Sequence, residues 1–147
     1  MADVRGGAGA VTGTVLVDTN VFTARLRERS PLATRYAKHL FGQRIALAPQ
    51  TVAEARYGAL NANWGSARQQ RLARLVARAR ILPVDIDTIE AVAELRNQCR
   101  TIGHPLHQSS HNADLWIAAT AIRWSIPLVA HDAIFTGAPG VQLLTEL

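Results

Sequence analysis

The chain has 147 residues, 48% of them hydrophobic, a size that suits one domain with its own core. No apolar run approaches the length of a membrane span and the N-terminus lacks a secretory h-region; the single Cys99 excludes an intramolecular disulfide and points to a reducing cytoplasm. The formal charge is +5 and all of the 16 Lys and Arg residues except Lys38 are Arg, which favours an anionic partner but also fits the Ala-, Gly- and Arg-rich usage of a GC-rich genome.

Residues 1–13 are Gly- and Ala-rich without an apolar period, and read as a flexible leader before a single domain at 14–147. The Gly run within them is no phosphate loop, because it precedes the first strand and lacks a following Gly-Lys-Ser/Thr. Thr14 to Val17 reads as a strand and Asn20 to Arg29 as a helix. Ser30-Pro31 restarts a helix, with Ser as N-cap and Pro in the first turn. A short strand at 45–48 leads into a helix from Pro49 to about Ala62. The next helix starts at Ser66, with Leu72, Leu75, Val76 and Ala79 on one face and Arg68, Arg71, Arg74 and Arg78 toward the other. A third strand at 81–84 precedes a helix over 86–102 whose inward residues are expected to be Ile89, Val92, Ala93, Leu95 and Cys99. Gly103-His104-Pro105 ends it. Residues 107–110 read as loop, 112–124 as a buried helix, and 127–130 and 141–144 as the last strands. This alternation predicts an α/β sandwich around a mostly parallel sheet.

One feature of the first strand is odd. Val15-Leu16-Val17 runs straight into Asp18, yet Asp is depleted in strands and costly to bury unpaired. Ligands of open parallel sheets bind beyond the carboxyl ends of the strands. Asp132, just after the strand at 127–130, falls at that same edge. Glu54 and Asp114 lie in otherwise apolar helical stretches. Each acid alone has an ordinary explanation: a turn or N-cap for Asp18, a pair with Arg56 for Glu54, a first-turn acid on a helix dipole for Asp114, a turn start for Asp132. Jointly these explanations weaken, because clustered carboxylates repel unless something positive sits among them. A hard divalent cation such as Mg2+ or Mn2+ does this best and can activate a water. A positive surface around such a centre points to a phosphodiester substrate.

VDTNV at Val17 to Val21, TVAEARYG at Thr51 to Gly58, NADLWIAATA at Asn112 to Ala121 and HDAIF at His131 to Phe135 resemble the ordered motifs of PIN-domain ribonucleases. They are similar in particular to the VapC toxins of bacterial VapBC toxin–antitoxin pairs, over roughly residues 14 to 147. Gly103-His-Pro before the third motif and Ala138-Pro-Gly140 near the end strengthen the likeness. The resemblance implies a three-layer α/β/α sandwich with about five strands. It implies the toxin of a type II pair, an Mg2+- or Mn2+-dependent endoribonuclease that cuts structured RNA, tRNA or rRNA, and so inhibits translation and growth.

Carried over by motif, Asp18 and Asp114 would be the principal metal ligands, with Glu54 and Asp132 completing the catalytic shell. Asn20 would orient Asp18, and Thr19 and Thr51 would stand behind the ligands. Arg25, Arg56, Arg68 and Arg71, with Arg27, Arg29, Arg74 and Arg78 nearby in sequence, are candidate RNA contacts. The resemblance also implies a homodimer and a small VapB-type antitoxin that lays a C-terminal segment across the toxin and often inserts an Arg among the acids.

The chain departs from the family in two places. Ala130 replaces the Thr often found two residues before the fourth acid. The stretch from Pro105 to Asp114 is long and carries His107 and His111. Those two are assigned to RNA contact in preference to metal ligation, since an all-oxygen shell suits Mg2+. A receiver-like domain would need a Lys after a late strand, and a haloacid-type phosphatase an Asp where Asn20 stands. The remaining alternative is a catalytically silent PIN-like module that binds RNA or a partner.

Overall fold

All four residues of Thr14–Val17 (β1) are buried, as expected of a strand covered on both faces. The computed structural model describes residues 13–147, so the leader expected at 1–13 lies outside the described residues except for Gly13. Four more strands follow: β2 (Arg44–Leu47), β3 (Arg80–Ile81), β4 (Leu128–Val129) and β5 (Leu143–Leu144). They join β1 in one sheet of order β3-β2-β1-β4-β5, with every pairing parallel. The helices are α1 (Thr19–Ala24), α2 (Pro31–Leu40), α3 (Pro49–Asn61), α4 (Ser66–Arg78), α5 (Ile86–Ile102) and α6 (Asn112–Trp124).

Side chains alternate across a strand, and β1 shows the result. Leu16 packs into a core with Leu95, Cys99, Leu115, Ile117 and Leu128, against α5 and α6. Val15 and Val17 enter the opposite core with Phe22, Tyr36, Leu47 and Leu72, against α1 to α4. The three-layer sandwich expected above is what this alternation builds.

Several predicted boundaries move. The first helix stops at Ala24, where Arg25, Leu26 and Arg27 each donate their N–H to a carbonyl only three residues back. Arg29 then takes φ 54°, and Pro31 holds Ser30 extended. Ser30 caps α2 as predicted, its hydroxyl accepting from Ala33 N at 3.2 Å. In α5 the inward stripe is Thr88, Val92, Leu95 and Cys99; Ile89 and Ala93, expected inside, are exposed. Thr88 tolerates the interior because its hydroxyl donates to Asp85 at 2.8 Å. Of residues 107–110, expected as loop, all but Gln108 belong to two 3-10 turns, Pro105–His107 and Ser109–His111.

Asp85 closes a capping box at the start of α5 and also receives a bidentate pair from Arg123 of α6, at 2.6 and 3.0 Å. The Arg123 side chain holds the Asp85 carboxyl well below the usual range. Asp85→Ala is expected to cost about 1–2 kcal/mol, most of it the lost cap, read as a lower Tm at neutral pH. A depressed carboxylate pKa adds stability above its unfolded value, so the difference from wild type should shrink as pH falls below about 4.

The C-terminal residues are tied to α2 through Tyr36, which is fully buried. Its hydroxyl donates to the Ala130 carbonyl (3.1 Å), accepts from Glu146 N (2.8 Å) and stands 2.8 Å from His131 Nδ1. Tyr36→Phe keeps the ring but takes away the partner of the buried Ala130 carbonyl and of the part-buried Glu146 N–H. A loss of about 1–3 kcal/mol in urea unfolding is expected.

Candidate active site

The chain proceeds from β1 outward to β2 on one side and later to β4 on the other, so β1 and β4 bound the topological switch point. Asp18 and Asp132 stand just past these two strands. Asp18 N donates to Val129 O at 2.9 Å, which pins the residue to β4. Asp18 occupies the N-cap position of α1 in an extended conformation, yet its side chain makes no capping bond. The turn explanation therefore accounts for its backbone and not for its carboxylate.

That carboxylate is buried, 4% exposed. Burial pushes its pKa up to about 7. The Thr19 backbone N–H offsets part of the rise, and the carboxylates of Asp114, Glu54 and Asp132 add to it. No cation among the described residues compensates it.

Asp114 lies in the first turn of α6, half-buried. Burial raises its pKa, His111 partly opposes this with Nδ1 at 3.4 Å from Oδ2, and Asp132 and Glu54 raise it further. Glu54 projects from α3 and accepts a hydrogen bond from Thr19 Oγ1 at 2.6 Å. Asp132 accepts from Ile134 N at 3.1 Å, which starts the 3-10 turn Ala133–Phe135. The fold thus brings all four predicted acids into electrostatic contact from β1, α3, α6 and the end of β4.

Of the predicted supporting residues, Thr19 is held against Glu54. Thr51 is buried one turn before Glu54, with no hydrogen-bond partner for its hydroxyl among the described residues. Asn20 is exposed and makes no hydrogen bond to Asp18. His111 reaches Asp114, whereas His107 is part-buried in its 3-10 turn. Arg68 shares a cleft with Glu54 and Thr19. Arg56 and Arg71 are exposed outside that cleft, and the Arg25 pKa is lowered by burial and then by the nearby Arg78 charge. The sequence reading missed Tyr36, which joins the C-terminus to the segment carrying Asp132. A lone Tyr in an amphipathic helix gives no signal for that.

A hard divalent cation fits this donor set: oxygen ligands only, repelling one another, one of them buried without compensation. Among the described residues no three Asp, Glu, His or Cys side chains converge tightly enough to enclose an ion alone.

Residues 15–140 match the PIN domain family, and the chain belongs to that family. It is 34% identical over 134 residues to Ribonuclease VapC5 of Mycobacterium tuberculosis, covering 88% of this chain and 93% of the relative. Within the PIN family, then, it is a homologue of the VapC ribonucleases of VapBC toxin–antitoxin systems. The solved VapBC-5 structure from M. tuberculosis aligns with a TM-score of 0.66 at 32% identity, over 91% of this chain and 99% of that one. VapBC2 from Rickettsia felis, solved bound to a DNA fragment from their promoter, has the same fold, with a TM-score of 0.74 at 21% identity over 90% and 98% of the two chains.

Proposed function

We propose that this protein is the toxin of a type II toxin–antitoxin pair, an endoribonuclease dependent on Mg2+ or Mn2+ that cuts structured RNA, tRNA or rRNA, to arrest translation and growth. The observation that carries the reading is the coupled set of Asp18, Glu54, Asp114 and Asp132 at the switch point, with Asp18 buried and uncompensated. Asp18 and Asp114 are the principal ligands; Glu54 and Asp132 complete the shell, directly or through water. A bound cation supplies neutralisation of phosphate charge and activation of water.

The chain's own side chains and backbone do the placing. Thr19 holds Glu54 in one orientation, and Ile134 N holds Asp132. Thr51 supports the ligand shell from one turn before Glu54, whereas Asn20, exposed and without a hydrogen bond to Asp18, is left without the orienting role expected of it. Burial of Asp18 keeps bulk water from screening its charge. Arg25, Arg56, Arg68, Arg71, His107 and His111 are the proposed RNA contacts.

Residues 14–147 act as one domain in this reading, in the cytoplasm, paired with a VapB-type antitoxin. Among the described residues no helix is long and apolar enough to cross a membrane. Exposed Ile86 and Ile89 on α5, and the exposed edge strand β3, support a homodimer.

The test is incubation of the purified protein with total cellular RNA under Mg2+, Mn2+ or a chelator, followed by mapping of new 5′ ends. Discrete 5′-phosphate ends that need the cation are expected. No new ends under either cation would overturn the nuclease reading in favour of a silent binding module.

A further inference from the structure

We propose that the cleft between α1, α3 and α4 is a subsite for one unpaired nucleotide adjoining the scissile phosphate; this rests on the ribonuclease reading above. The cleft has a volume of about 340 Å3, and its lining includes Thr19 and Glu54 of the acidic site together with Arg27, Trp64 and Arg68. It is therefore continuous with the place where the phosphodiester would be cut. Its volume is at the small end of sites that enclose a small organic group.

Trp64 is presented there by the backbone. Asn63 takes φ 52° after the end of α3. Trp64 N donates to Ala59 O at 3.0 Å and Asn63 N to Leu60 O at 3.2 Å, the paired bonds of a Schellman turn. Gln69 Nε2 donates to Trp64 O at 2.8 Å and fixes the next turn. The Arg68 guanidinium then lies 3.9 Å over the indole ring. The pair forms a flat, cationic, part-exposed surface beside an acidic catalytic edge.

A ring and guanidinium stacked in this way match a nucleobase with a phosphate attached. The base must be unpaired, because both faces of a paired base are covered by its neighbours. Arg27 lines the same cleft. Arg25 and Arg78 stand near each other outside that lining, and burial, then the Arg78 charge, lowers the Arg25 pKa. None of these arginines has a carboxylate within salt-bridge distance among the described residues. A run of Asp and Glu side chains would meet the charge but offers no ring to stack at Trp64.

The test measures binding without cleavage, in the full-length Asp114→Asn protein with a chelator present. Quenching of the intrinsic tryptophan fluorescence, to which Trp64 contributes beside Trp116 and Trp124, is followed on titration with a short single-stranded RNA, the same RNA as a duplex, and a poly-glutamate peptide. Affinities of the Trp64 variants are read from the anisotropy of end-labelled RNA. Single-stranded RNA is expected to quench the signal, the duplex and peptide much less. Trp64→Leu should weaken RNA binding by roughly five- to a hundredfold, with Trp64→Phe recovering most of it. Arg27→Gln and Arg68→Gln should each flatten the slope of log affinity against log salt by about 0.7. Quenching by poly-glutamate equal to that by RNA would assign the cleft to an acidic peptide and overturn the proposal. So would unchanged affinity in Trp64→Leu, or no RNA binding at all. Cation-dependent cleavage is scored separately in the Asp114 protein: if Trp64→Leu in that background binds and cuts RNA as its parent does, the subsite falls while the ribonuclease reading stands.

Discussion

Asp18→Asn and Asp114→Asn are each expected to lower cation-dependent RNA cleavage by at least about a thousandfold, and expression of either variant should no longer arrest growth. The amide keeps the shape of the carboxylate and removes its charge. A cation among oxygen ligands supplies several kcal/mol of charge stabilisation to the reaction, and each 1.36 kcal/mol is tenfold in rate. Asp18 is the acid for which substitution is most diagnostic, because it is 4% exposed and the described residues offer it no other charge partner. Glu54→Gln and Asp132→Asn should cost less, about 10- to 100-fold, since each already has a hydrogen-bond partner in the protein and acts from the edge of the cluster. Equal cleavage by wild type and both principal variants would sink the site assignment.

The same substitution at Asp18 should have the opposite effect on stability. In the folded chain the Asp18 pKa is about 7, against an ordinary 3.8. Between these values the folded state holds a proton that the unfolded state has lost. Stability of the cation-free protein therefore falls as pH rises through that window, by up to about 4 kcal/mol, and is fully present only below it. Asp114, raised mainly by burial, acts in the same direction. Asp85, whose carboxyl is held low, acts only below its unfolded value and does not mask the trend.

Asp18→Asn removes the charge that must be buried. It is expected to raise the neutral-pH Tm of the chelated protein by roughly 5–10 °C and to flatten its dependence on pH between 4 and 8. Millimolar Mg2+ or Mn2+ should raise the wild-type Tm at pH 8, do little at pH 5, and do little to the variant at either pH. Parallel pH profiles for wild type and variant, with and without cation, would refute the account of Asp18.

Much of the architecture could be read from near neighbours along the chain. Ser30-Pro31 caps and opens α2 because both effects act within one turn. Gly103 ends α5 at φ 77° because only a residue at ease in the left-handed region can sit there. The alternation of Val15, Leu16 and Val17 already separates two faces. What failed at this level were positions where a period can be laid more than one way. Ile89 and Ala93 satisfy an apolar pattern in α5, but the packed stripe runs through Thr88, whose hydroxyl Asp85 satisfies. Hydrophobicity alone does not anticipate a buried threonine.

The site divides in the same manner. The four acids and their order are visible in the sequence, since each stands in a short motif of its own. Whether they act together depends on the strand order β3-β2-β1-β4-β5, which sets β4 beside β1 and leaves Asp18 and Asp132 at one edge. The raised pKa of Asp18 follows from burial on all sides, and the cleft at Trp64 from three helices meeting near Glu54. Local propensity and motif order were thus determined by the sequence alone, through interactions that reach only a few residues. Desolvation, charge coupling and cavity shape were decided by the tertiary structure, because they depend on which distant segments the fold sets side by side.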